Sequence, residues 1–573
     1  MAVKYWKHII SAIFFVVVFL FWRIGYACAF SYHEQFQMFM FTKGYFAERM
    51  SLPGGLADYL SEFLVQFYYF PLFGALIVAV LLLVVQILAY ILMRHFGADG
   101  LTYCLSYLPT VLLWHYMGNE SVLLSFVVAV VASLAFDLAY VNIKNNVAKM
   151  LCGTLGVALL YYLFGAVAFA SVLFLVVCNC NYKNNVAISV LSVLVAVFAA
   201  VVCYKMSDYP LFRFFLGINY FRFPTEIPFM QVLIMIAAAL VPFLGIVEEK
   251  INKKISVIVA AVMVVFALIF VPSGFNSLNY EVLEYDYLVR IGNWDKIISI
   301  AEKNNPRTPQ SVSCLNLALA EKGELGNRMF DFFQNGREGL VPGFVRDFLL
   351  PLSAAEIYLR LGMVNTSMRN LFEAQEAIPN YRKSGRITKR LAELNIINED
   401  YDVARKYLMM LANTLFYKEF AQSTLAILDG NGKFTDNKFW AQVDKNRYQK
   451  DFLYSDAEPD QMYGLLLVQN GKNRLAFDYL MADVLLEKDL QKFVSYYPLG
   501  RDAGYNVLPK QFQEALIYAY YQSHGSLGGI PQVVTTPVVN DFQQFMQMYS
   551  RDPQSVKTSA FAKSYYAYLL NLK

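Results

Sequence analysis

The sequence predicts an all-helical protein, a polytopic membrane half followed by a helical-repeat half, and three observations predict it. The 573-residue chain is 57% hydrophobic and only 16% charged, too apolar for a soluble multidomain protein. The apolar residues are concentrated in nine stretches before residue 273. The rest is polar and helix-patterned, with short turns at near-regular spacing. The expected domains are therefore 1–272, transmembrane with an outer loop of surface helices at 30–69, and 273–573, a soluble helical-repeat domain.

A crossing helix needs about 20 apolar residues, which places spans at 8–29, 70–93, 101–117, 121–141, 147–163, 166–181, 186–204, 229–247 and 255–272. The fifth and sixth form one block, divided at Phe164-Gly165-Ala166 because it is too long for one crossing; undivided, the count is eight. Short basic loops stay cytoplasmic. With nine spans and the N-terminus inside, Lys4, Lys7, Arg94, Lys144, Lys149, Lys183, Lys250, Lys253 and Lys254 fall inside, against Lys43, Arg49, Lys205, Arg213 and Arg222 outside. The expectation is a bacterial inner-membrane protein with its C-terminal domain periplasmic. The first span also carries Ala27-Cys28-Ala29, a signal-peptidase-like triplet, but Arg23 interrupts a run longer than a signal core, which favours a retained anchor.

Net charge is only +4 and no long basic run occurs, so nucleic-acid binding has no electrostatic support. Cys28, Cys104, Cys152, Cys178, Cys180 and Cys203 lie in or beside apolar stretches, with Cys314 alone in the polar half, so neither a disulfide framework nor a zinc site follows. Cys178 and Cys180 read as small buried residues. No Gly-rich phosphate loop, HExxH, GxSxG or kinase signature is present.

His33 and Glu34 follow the first span directly, a carboxylate and an imidazole at the membrane surface. From Phe30 to Met50 the outer loop is rich in aromatics and methionines, as for a helix in the headgroup region, and Pro53-Gly54-Gly55 breaks it. In the next helix Leu56, Leu60, Phe63, Leu64 and Phe67 form an apolar stripe, with Asp58, Glu62 and Gln66 opposite; Asp58 and Glu62 read as a solvated face. Arg23 lies within span one, where function or a buried ion pair is expected. His115 ends span three, Glu120 starts span four, and Asp208, Arg213, Arg222 and Glu226 share the outer loop before span eight, all on the same membrane side. Asp137, near the inner end of span four, falls outside this group. Arg213 and Arg222 are suited to hold a lipid-carrier phosphate through paired hydrogen bonds, while simple snorkelling to the headgroups explains them equally well.

In the second half, turns starting at Gly292, Gly362, Glu399 and Gly471 are 70, 37 and 72 residues apart, near multiples of one unit of about 35 residues. This half resembles the tetratricopeptide repeats, though a copy near residue 435 is not recognisable. Such arrays offer concave surfaces to peptides, proteins or glycans.

The inside N-terminus, the loop of two surface helices, the carboxylate after span one and the outer C-terminal domain together resemble the GT-C superfamily of membrane glycosyltransferases. The chain is also similar to a group of multispanning proteins from Bacteroidetes, through Tyr32-His33-Glu34-Gln35, Pro53-Gly54-Gly55-Leu56 and Gln66-Phe67. The resemblance implies sugar transfer from a polyprenyl-phosphate carrier on the outer face. By position it makes Glu34 the base or metal ligand, with His33 tuning it. Arg23, Asp58, Glu62, His115, Glu120, Arg213, Arg222 and Glu226 would bind substrate or lipid phosphate. A His-Glu pair in place of an Asp-centred motif leaves the role of a divalent metal open. The alternative is a membrane-anchored scaffold whose repeat domain gathers envelope partners without catalysis. A transporter would need charges near mid-membrane.

Overall fold

The computed structural model describes residues 2–98, 100–182, 186–223, 226, 228–250, 253–343, 350–379, 382–430, 436–450, 452 and 454–572. Lys183, residues 224, 225 and 227 of the second outer loop and residues 431–435, beside the missing repeat copy, lie outside them, as do the side chains of Lys4, Lys250, Lys253 and Lys254. Among the described residues every secondary-structure element is a helix, and one isolated antiparallel bridge joins Val122 and Phe221. It divides into two compact units: Met1–Tyr280 with Pro379–Gly385 and Ala412–Lys418, and Glu281–Ile378 with Arg386–Leu411 and Glu419–Lys573. Two short segments of the polar half thus belong to the first unit, an exchange no local sequence signal announces.

Among the described residues of the first unit, six helices are long and apolar enough to cross a membrane: Trp6–Gly25, Pro71–His95, Leu124–Asn142, Asn146–Cys180, Val186–Lys205 and Phe229–Ile246. A seventh is reached by taking Val257–Ser273 together with the bent-off Ser277–Arg290. The stretch expected as span three is a 3-10 helix, Leu101–Tyr107, running into a nine-residue α-helix, Leu108–Tyr116, neither long enough alone. Outward side chains such as Leu194 and Phe198 are exposed, the inverse of a soluble protein and what a lipid-facing surface requires.

Polar contacts fix how these helices pass one another. Lys7 Nζ donates to Tyr90 Oη (2.6 Å) and Ser11 Oγ to Gln86 Oε1 (3.3 Å), so the first helix runs antiparallel to Pro71–His95. Ser133 and Tyr140 meet Ser171 (2.8 Å) and Asn179 (2.9 Å) in ascending order. Phe136 and Tyr140 lie instead against Gly156 and Gly153, in descending order. The stretches on either side of Gly165 therefore run in opposite directions, which makes Asn146–Cys180 a helical hairpin. Gly165 has φ +81°, and a Cβ there would come within 2.8 Å of the Tyr220 hydroxyl, so the reversal needs glycine twice over.

The second unit packs short helices about a core that includes Leu315, Leu319, Phe330, Ile357, Phe477, Leu480 and Phe512. Its turns share one device. Gly292, Gly323, Gly362, Glu399 and Lys488 each adopt positive φ, between 62° and 101°. The next backbone N–H reaches back five residues in every case: Asn293 to Leu288 O (3.0 Å), Glu324 to Leu319 O (2.7 Å), Met363 to Tyr358 O (2.8 Å), Asp400 to Asn395 O (2.8 Å) and Asp489 to Val484 O (2.9 Å). These are Schellman endings, which satisfy the last carbonyls of a helix and turn the chain. Asn293 and Asp489 then cap the following helices. The turn expected at Gly471 is built otherwise, around Asn473, which caps its own helix and donates to Leu361 O (3.0 Å).

Candidate functional site

Backbone irregularity, not a loop, sets the position of Glu34. A π-helical turn, Phe21–Gly25, ends the first long helix, and Tyr26 breaks it. A new helix, Ala27–Gln35, then carries His33 and Glu34. It is buried because its aromatics lock into the unit: Phe30 packs on Trp22 and Tyr68 and leaves no room for a side chain at Gly74.

Glu34 is 4% exposed, and its Oε1 accepts from Tyr417 Oη at 2.8 Å. Tyr417 comes from the Ala412–Lys418 segment, and its ring rests against Gly385. Backbone hydrogen bonds seat both late segments: Met38 N–H to Lys383 O (2.9 Å) and Phe41 N–H to Asn413 O (2.8 Å). The cavity beside Glu34 measures about 10 Å³ and is lined in part by Gln37 and Gln66, room for about one water.

Asp58 and Glu62 share one face of the Gly55–Val65 helix, as their spacing requires, but that face points inward. They are 1% and 0% exposed, whereas Leu60 and Phe63 of the apolar stripe are exposed. The solvated-face expectation is thus inverted. The carboxylates sit in a closed network: Arg382 donates to Asp58 and pairs with Glu62 (2.9 Å), Arg49 Nε meets Glu62 (2.8 Å) and Asp58 (3.8 Å), and Tyr45 donates to Glu62. Two guanidiniums against two carboxylates neutralise a site that water does not reach. Burial first, and the neighbouring Glu62 after it, push the Asp58 carboxyl up to about 6 against the pull of Arg382 and Arg49.

His33 lies beside Arg222 and the rings of Tyr32 and Phe36. Burial, reinforced by the Arg222 charge, lowers its imidazole to about 4, so it is neutral at ordinary pH. Arg222 donates to the Tyr32 hydroxyl and lies over Tyr32, Phe36 and Phe223. Arg213, 1% exposed, directs its guanidinium at the carbonyls of Phe223 (2.9 Å), Phe221 (3.5 Å) and Glu226 (3.5 Å). It holds the loop's own backbone, not an open anion site; burial lowers its pKa. The loop is further paired through Arg222 N–H to Ser121 O (2.8 Å) and Leu123 N–H to Tyr220 O (3.0 Å).

The remaining candidates stand apart. Arg23 is exposed and, among the described residues, has no ion-pair partner, which corrects the expected buried pair. His115 stacks on Phe270 at 3.9 Å, its Nδ1 2.6 Å from Phe270 O. Glu120 accepts from Asn279 (2.5 Å), and the Glu226 side chain is exposed. The structure therefore sets Arg222 beside His33, seats Glu34 against Tyr417, closes Asp58 and Glu62 into their own network, and leaves Arg23, His115, Arg213, Glu120 and Glu226 outside these groups. A second cavity, about 20 Å³ and lined by His33, Trp22 and Phe30 among others, is also water-sized. Among the described residues no three His, Cys, Asp or Glu side chains are grouped to hold a metal ion.

The second unit, by contrast, opens a groove of about 640 Å³. It lies among the turn at Gly323, the end of the Leu350–Leu361 helix, the Lys438–Asn446 helix and the turn at Asn473. Sequence reasoning missed this groove, as it missed Arg382 and Tyr417; of the turns that border it, only the one at Gly471 to Asn473 was marked in the sequence.

The model of a family of unknown function matches residues 2–571. No curated protein and no solved structure matches the chain.

Proposed function

The chain belongs to that family, DUF6057, and we propose that it is a membrane-anchored binding protein whose helical-repeat unit gathers envelope partners. In this reading the chain crosses the bacterial inner membrane nine times, with the hairpin at Gly165 counted twice and Leu101–Tyr107 with Leu108–Tyr116 taken together as one crossing, the N-terminus cytoplasmic and the repeat unit periplasmic. The observation that carries it is the contrast in open space. Cavities beside the acid and base candidates hold about one water, while the groove of the second unit holds about 640 Å³, within the range of ligand sites.

Sugar transfer from a polyprenyl phosphate remains a second reading, favoured by one observation: Arg222 stands beside His33 on the helix that carries Glu34. The test is complementation of a deletion strain by full-length Glu34→Gln. The binding reading expects wild-type complementation. A variant that inserts and accumulates normally yet fails would make chemistry at Glu34 essential and overturn it.

A further inference from the structure

Five cationic side chains, Lys322, Arg360, Lys438, Lys472 and Arg474, line the groove of the second unit, against two anionic ones, Glu321 and Asp478. Both anions are already engaged from within. Glu321 pairs with Arg360 at 3.2 Å. Asp478, 1% exposed, accepts from Tyr505 Oη at 2.6 Å beside Arg474, whose guanidinium lies 4.3 Å from the Tyr505 ring centroid. Lys322 pairs with exposed Asp295 at 2.8 Å. Lys438 and Lys472 are exposed and, among the described residues, make no ion pair. The groove thus presents positive charge with no internal counterpart, the pattern that selects an anionic partner.

The arrangement narrows the anion. Arg360 is engaged by Glu321 through Nη1, and Arg474 Nε by the Tyr505 hydroxyl (2.9 Å), so neither guanidinium offers its whole fork to a compact phosphate. The unengaged charges are lysine ammoniums, flexible point charges on separate elements, suited to carboxylates spaced along an extended chain. Phe439 is the groove's one aromatic lining residue among those described, and the guanidiniums of Arg360 and Arg390 both lie 5.3 Å from its centroid, which leaves it poorly placed to stack on a sugar.

We propose that this groove is a binding site for an acidic peptide segment of a partner protein, with Lys438 and Lys472 as its principal contacts. This rests on the binding reading above and names the partner's chemistry. The test uses the full-length chain in detergent and fluorescence anisotropy of a labelled oligoglutamate peptide, with oligoglutamine as the neutral control. Oligoglutamate should bind, release as salt rises and bind at least ~10-fold more weakly to Lys438→Glu/Lys472→Glu. A Lys438→Gln/Lys472→Gln chain, which keeps the stems, should fall between. Equal binding of oligoglutamine, or unchanged binding by the charge-reversed chain, overturns the proposal. Displacement by low inorganic phosphate also overturns it and assigns the groove to phosphate groups. Loss of peptide binding with complementation intact ends this inference alone; failure of Glu34→Gln to complement ends the underlying reading and leaves the groove's binding measured.

Discussion

Replacing Arg382 with Met removes one of the two guanidiniums that neutralise Asp58 and Glu62. Arg49 remains, 2.8 Å from Glu62 and 3.8 Å from Asp58, so a network of zero net charge becomes one of −1 around carboxylates 1% and 0% exposed. Breaking a buried pair this way costs about 3–5 kcal/mol. At roughly 2 °C per kcal/mol for a chain of this size, the midpoint of thermal unfolding in detergent should fall by about 6–10 °C near pH 8. The loss should shrink near about pH 5.5, for a definite reason. Burial holds the Asp58 carboxyl at about 6 even with both arginines present, and removing a cation makes it keep a proton more tightly. Below that pH the variant regains neutrality by taking up a proton. The sign in the wild type is consistent: a raised carboxyl contributes stability that is complete below its unfolded value of 3.8 and is lost as pH rises through about 6. Asp58→Asn combined with Arg382→Met should recover most of the loss. A midpoint within about 1 °C of wild type near pH 8, or an equal drop at both pH values, would refute the electrostatic account.

Three further outcomes follow from single features. Burial alone would raise Glu356, but Arg390, Arg386 and Arg360 hold it at about 2. The stability this confers is full above the ordinary value of 4.5 and disappears as pH falls through about 2, a loss of about 3 kcal/mol that acid titration of tryptophan fluorescence reads and Glu356→Gln should abolish. Glu399 sits at φ +65°, a conformation costing an L-residue about 1 kcal/mol, so Glu399→Gly should raise the denaturation midpoint, and a lowered one would contradict the Schellman assignment. A Cβ at Gly385 would lie 2.4 Å from the Tyr417 ring; Gly385→Ala should therefore displace Tyr417 from Glu34 and destabilise by about 1–3 kcal/mol, measured by thermal unfolding against Tyr417→Phe, which loses the hydrogen bond but keeps the ring.

Properties written in short windows were legible in the sequence. Apolar length marked the long helices, and the Phe164-Gly165-Ala166 interruption marked the point where direction reverses. Three of the four turns read from the repeat spacing carry the left-handed residue. The turn at Gly323 and the one at Lys488 escaped because they fall off that spacing. The direction of the Gly55–Val65 helix was misjudged for a physical reason. Its two faces were evident from periodicity, but which one turns inward depends on whether lipid or water lies outside, and on an arginine more than three hundred positions away. The same distance hid Tyr417 from Glu34. Arg213 read equally well as a phosphate ligand or as a snorkelling side chain, and nothing local shows that backbone carbonyls engage its guanidinium instead.

The Arg382–Asp58 contact spans 324 positions, and that separation orders events during synthesis. At about 5–20 residues per second, roughly 16–65 s pass between emergence of Asp58 and of the arginine that neutralises it. Through that interval the first unit has its apolar helices but carries two carboxylates with one guanidinium, a state better suited to hold protons or solvent than to close. Its completion is therefore post-insertional, timed by the arrival of Pro379–Gly385 and Ala412–Lys418, and a ribosome stalled before residue 379 would leave a membrane half that is inserted but unfinished.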